Sequence, residues 1–135
     1  MKIDYPFLSK DVVKVEITST KRAVLFTISC PYLNRSIALY EDTWKYKICD
    51  MHNEVKGCLN FVKIVLSNEK SNNVRVYRKK DTVDKLAVYY KDCPNLRPRY
   101  EYLKIGIELI GVTEAVITTC HGQNGQAGLS MEEIK

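Results

Sequence analysis

YEYLKIGIELI, residues 100–110, alternates two chemistries. Tyr100, Tyr102 and Lys104 share one parity, and Leu103, Ile105, Ile107 and Leu109 share the other. Successive side chains of a strand point to opposite faces, so this stretch is a strand with one apolar face and one face of tyrosine and cations. The same pattern extends to either side. NVRVYRKK (73–80), KLAVYYKD (85–92) and EAVITTCH (114–121) complete four consecutive strands, joined by short polar or proline-containing connections. Val74, Val76, Leu86 and Val88 continue the apolar face, while Arg75, Tyr77, Tyr89 and Lys91 continue the tyrosine face. The pattern predicts an antiparallel meander.

Upstream, VVKVEITST (12–20) and AVLFTISC (23–30) read as a β-hairpin turning at Thr20, Lys21 and Arg22, with SIALY (36–40) as a short further strand. Glu41, Asp42 and Thr43 suit a helix start. In TWKYKICDMHNEV (43–55), Trp44, Ile48, Met51, Val55 and the later Val62 fall in a narrow helical arc, with His52 roughly 80° from its centre. Gly57 interrupts, and CLNFVKIVLSN (58–68) forms a second helical piece whose Val and Ile density leaves a strand open. The expected fold is therefore α+β: an N-terminal hairpin and a helical region packed on a four-stranded antiparallel sheet. Residues 1–121 form a single domain in this reading. The glycine-rich stretch 122–135 is a flexible tail, with a short helix from Ser130 as the alternative.

Lys and Arg total 21 against 16 Asp and Glu, a net charge of +5 that favours polyanionic partners. The N-terminus lacks the basic and apolar regions of a secretory signal, and no window approaches the ~18 apolar residues of a membrane span. The odd set of cysteines, Cys30, Cys49, Cys58, Cys93 and Cys120, has no repeating spacing. It argues against a disulfide framework and fits a reducing cytoplasm. A glycine-rich phosphate loop, a GxSxG elbow and an HExxH motif are all missing, which sets aside dinucleotide enzymes, α/β-hydrolases and zincins. MEEIK lies in the tail, where a catalytic carboxylate pair would be poorly held.

A strip of aromatic rings between cations is what single-stranded nucleic acid uses, because rings stack on bases and cations hold phosphates. Tyr89 and Tyr102 are the candidate stacking residues, and Lys91 and Arg78 the candidate phosphate contacts. The same residue types are also common on the solvent side of ordinary antiparallel sheets. Cys49 and His52 could begin a metal site with Cys58 or the Cys120-His121 pair, but one CxxH without a second paired unit is far from zinc-ribbon spacing. No metal or cofactor is expected.

The run Thr43-Trp44, Ile48, His52, Glu54-Val55, followed by Ser67-Asn68, Tyr89-Tyr90-Lys91, Tyr102-Leu103-Lys104 and Val116-Ile117-Thr118-Thr119, resembles phage-associated nuclease-like domains. Those domains are grouped with barnase, EndoU, the colicin nucleases and RelE, the BECR fold group. The resemblance spans roughly residues 36–121 and rests on short motifs. It implies metal-independent cleavage of RNA by attack of the 2′-hydroxyl, in a toxin-like or mobile-element setting where an inhibitory protein partner is expected. It further implies an acid/base role for His52, a phosphate role for Arg75 or Lys104, and hydrogen-bond donation by Thr118 or Thr119. Two positions depart from the pattern: Tyr46 stands where a first histidine is expected, and Asn53 where a proline often follows the second. Tyr46 leaves open a catalytically inactive relative that binds RNA or protein. It also leaves open whether His121 replaces the missing ring. Because the helix covers the apolar face, His52 can meet the tyrosine face only where the helix end reaches a sheet edge.

Overall fold

The computed structural model describes residues 22–96, 98–125, 128 and 131–134. A mixed sheet of seven strands dominates it, in the order β1-β2-β6-β5-β4-β3-β7. The strands are β1 Val24–Cys30, β2 Arg35–Tyr40, β3 Val74–Lys79, β4 Lys85–Lys91, β5 Tyr102–Ile110, β6 Glu114–Gln123 and β7 Met131–Ile134. The expected fold of a four-stranded antiparallel sheet under a helical region is thereby corrected. β3 to β6 are the meander read from the alternation, but β1 and β2 extend the same sheet, with β2 parallel to β6. β7 closes the opposite side against β3.

Pairing between β2 and β6 joins segments distant in sequence through Ser36↔Glu114, Ile37↔Ala115 and Ala38↔Val116. No local period announces such a contact. The upstream half of the expected hairpin, 12–20, lies outside the described residues, and β1 pairs with β2. The stretch read as a loose tail contributes, in its described residues, to two strands. Gly122 and Gln123 end β6, and Met131–Ile134 form β7 through main-chain pairing and Ile134, which packs on the core. The two glutamates between those apolar residues hid the strand, since Glu is depleted in strands.

The helical region reduces to three short pieces: a π-helical segment Thr43–Cys49, a 3-10 turn Asn53–Val55, and α1, Leu59–Ser67. Trp44, Ile48, Val55, Leu59, Val62 and Leu66 from these pieces pack against Leu103, Ile105, Ile107 and Ile117 of the sheet. Met51 was placed in the same arc but is 73% exposed. The wider i→i+5 turn explains it, with the Asp50 N–H donating to the Lys45 carbonyl at 3.3 Å. In such a turn, residues three apart no longer share a face. Among the described residues, no helix is long and apolar enough to cross a membrane.

Candidate active site at the free edge of β6

Broken helical structure is what carries His52 to the sheet. The residue sits between the π-helical segment and the 3-10 turn, with φ −133° and ψ 71°, while its N–H still donates to the Ile48 carbonyl at 2.7 Å. Beside it runs the second half of β6. Among the described residues, β6 has no strand neighbour on the β2 side beyond Val116, so its outward N–H groups need other acceptors. Glu54 supplies one: its Oε2 accepts the Gly122 N–H at 3.0 Å.

Glu54 also reaches the histidine. The same oxygen lies 4.0 Å from His52 Nδ1, an ion pair whenever that ring carries its proton. His52 in turn contacts His121 of β6, with ring centroids 4.9 Å apart and planes inclined by 35°. His121 Nδ1 lies 2.9 Å from the Gly122 carbonyl oxygen. A carbonyl only accepts, so Nδ1–H is the donor, and the unshared pair of a neutral His121 ring is left on Nε2. The chain's two histidines therefore stand together, bracketed by one carboxylate.

Gly122 is required by the space around it. A Cβ there would lie 2.5 Å from Cγ of the Tyr100 ring, closer than any side chain tolerates. The ring packs flush on bare backbone, leaving the Gly122 amide and carbonyl to Glu54 and His121.

Lys104 stands opposite His121 in the β5–β6 register, on the tyrosine face. Burial lowers its pKa below the ordinary lysine value. Its Nζ lies 5.8 Å from the Tyr89 ring centroid. No carboxylate among the described residues pairs with it. A partly desolvated cation on the strand position across from His121 suits an incoming anion.

Of the other expected site residues, Arg75, Tyr89, Lys91 and Tyr102 line one cleft and Tyr89 and Thr118 line another with Lys104, and neither cleft is lined by the histidines. Arg75, Tyr89, Lys104 and His121 form one row across β3 to β6, which puts Arg75 three strand spacings from His121, roughly 14 Å. Its guanidinium is bound to Glu133 at 2.9 Å. Thr118 is the extra residue of a β-bulge between the pairs Gly106↔Thr119 and Ile107↔Ile117, so it lies against Gly106 and away from the histidines. Tyr89 is only 2% exposed, its ring edge-on to Tyr77 and Tyr102 and its hydroxyl accepting from Gln123 Nε2 at 3.3 Å. It supports neighbouring rings and has no face free for a base. Tyr102 is half-buried opposite Lys91, whose ammonium is 4.0 Å from Glu101. Arg78 belongs to the opposite face, where it meets Glu132 at 3.8 Å. Tyr46 is 67% exposed and takes no part in the cluster.

Sequence reasoning singled out His52 and Lys104 and left open whether His121 supplies the second ring, but it gave Glu54 no role. The usable signal was rarity: two histidines in the whole chain, one of them two residues from Glu54. No protein-family model, no curated protein and no solved structure matches the chain.

Proposed function

We propose that this protein is a small endoribonuclease that cleaves RNA without a metal, with His52 and His121 as its acid and base. The observation that carries the reading is the contact of these two rings beside Glu54, with Lys104 on the strand position opposite His121. His121 Nε2 takes the proton of a ribose 2′-hydroxyl, and O2′ attacks the adjacent phosphorus. As the bond from phosphorus to O5′ breaks, protonated His52 gives its proton to the departing oxygen. The products are a 2′,3′-cyclic phosphate and a free 5′-hydroxyl. Lys104 offsets the charge that builds on the phosphoryl oxygens.

One carboxylate balances one imidazolium, and two charged rings in contact would repel. Acid/base transfer requires one charged and one neutral ring, and Glu54 stands beside the ring assigned as the acid. With the centroids only 4.9 Å apart, the scissile phosphate sits over the ring edges and not between the rings. RNA is the partner in this reading, and a protein inhibitor is the expected second partner of a toxin-like ribonuclease. Five free, buried thiols fit a reducing, cytoplasmic setting. The short-motif resemblance to phage-associated nuclease domains points to the same chemistry.

The test is incubation of labelled total RNA with the purified protein in EDTA, beside His52→Ala and His121→Ala. Fragments with cyclic-phosphate ends are expected from the native protein, with a loss of roughly 10²- to 10⁴-fold in each variant. Binding without cleavage by the native protein would replace this reading with a catalytically inactive RNA-binding module.

A further inference from the structure

β7 is a strand of four residues paired to β3 at the edge of the sheet, and it carries adjacent glutamates that serve opposite faces. Glu133, opposite Tyr77, turns to the tyrosine face, where both of its carboxylate oxygens accept from Arg75 Nη1 at 2.9 and 3.2 Å. Glu132, opposite Arg78, turns to the other face. Glu133 thereby enters a cleft of about 520 Å³ that Arg75, Tyr77, Lys91 and Tyr102 also line. Arg75 belongs to the row that leads through Lys104 to His121.

A carboxylate with two oxygens on one guanidinium copies the contact a phosphate would make there. Both partners are exposed, and exposed ion pairs add little stability, so an incoming phosphate can replace the carboxylate readily. We infer that Glu133 is a built-in competitor for RNA: it occupies the phosphate position at Arg75 and weakens binding of a strand laid along the row from His121. The inference rests on the RNA reading above.

The test compares native protein, Glu133→Gln and Glu132→Gln in binding a fluorescent 2′-O-methyl oligouridine, which is single-stranded and has its attacking hydroxyl blocked. Both variants change the net charge equally, but only Glu133 faces the row. Glu133→Gln is expected to bind about threefold to tenfold more tightly at low salt, with the gain shrinking as salt rises, and Glu132→Gln to change by less than about twofold. Adding Arg75→Gln to Glu133→Gln should abolish the gain. Equal tightening in the two single variants, or none in either, overturns the inference and leaves the RNA reading standing. No binding by any of the proteins overturns the RNA reading itself, and the inference with it.

Discussion

The two halves of β6 meet the same problem in different ways. Along Glu114–Val116 the outer edge is closed by β2, backbone to backbone, and Ala115 and Ile117 are buried. From Thr118 onward that strand is gone among the described residues, and the edge is met by side chains: Glu54 on the Gly122 amide and His52 on the His121 ring. Main-chain pairing satisfies an edge but leaves nothing that can titrate. Side-chain closure satisfies it with groups that can exchange protons. Among the described residues, the candidate site lies where sheet pairing stops.

The sharpest way to break this comparison is to damage each half and ask which property fails. Ile37 of β2 is fully buried beside Ala115, and Ile37→Ala should cost about 2–5 kcal/mol of stability through lost burial and the cavity left behind. Cleavage per folded molecule should hardly change. Urea unfolding followed by cleavage assays at low temperature reads both quantities. A variant that kept its stability and lost its activity would show that the two halves do not divide the labour in this way.

This division also explains what was legible in the sequence. Strands β3 to β6 were readable because Val74/Val76, Leu86/Val88 and Leu103/Ile105/Ile107 alternate with polar neighbours, a signal contained within each segment. The parallel contact of β2 with β6 was not readable, because it depends on where the chain returns and not on any period. Nor was the site, since Glu54 and Gly122 are 68 residues apart and neither looks unusual alone. His52 could be suspected from its position at the flank of an apolar arc. Its actual placement depends on the π-helical turn, which an α-helical wheel misassigns, as the exposure of Met51 shows. The face of Tyr89 was read correctly, but its burial follows from crowding by Tyr77, Tyr102 and Gln123, which alternation does not report.

A smaller effect is expected at Glu54, where closure of the edge and proton transfer share one carboxylate. Glu54→Gln keeps an oxygen for the Gly122 N–H but loses the negative charge near His52. Exchanging a charge-assisted hydrogen bond for a neutral one should lower stability by about 1 kcal/mol. The cleavage rate should fall roughly tenfold, in kcat more than in KM, because the group acts through His52 and does not touch substrate. Glu54→Ala should lose more stability than Glu54→Gln, since it also strands the amide. Equal stability in the two variants would mean that the edge amide is satisfied by something other than Glu54.

The smallest effect is a pH dependence at Lys104, where stability and binding should move in opposite directions. Burial disfavours the charged ammonium, so the folded-state pKa lies below that of the unfolded chain. At neutral pH both states are protonated, and the folded protein carries the full desolvation cost. As pH rises from the folded value toward the ordinary ~10.4, the unfolded chain holds more protons than the folded one, and stability rises with pH. Lys104→Met should therefore stabilise the protein at neutral pH, by less than about 1 kcal/mol after solvent screening, and this advantage should shrink through that alkaline window. The same variant should bind RNA more weakly, because a phosphate opposite His121 loses its cation. Urea unfolding of both proteins across the window isolates Lys104 from the tyrosines that titrate nearby. A stability difference that stays constant with pH would mean that Lys104 is solvated in the free protein, leaving its place beside His121 without the electrostatic tension that an incoming phosphate relieves.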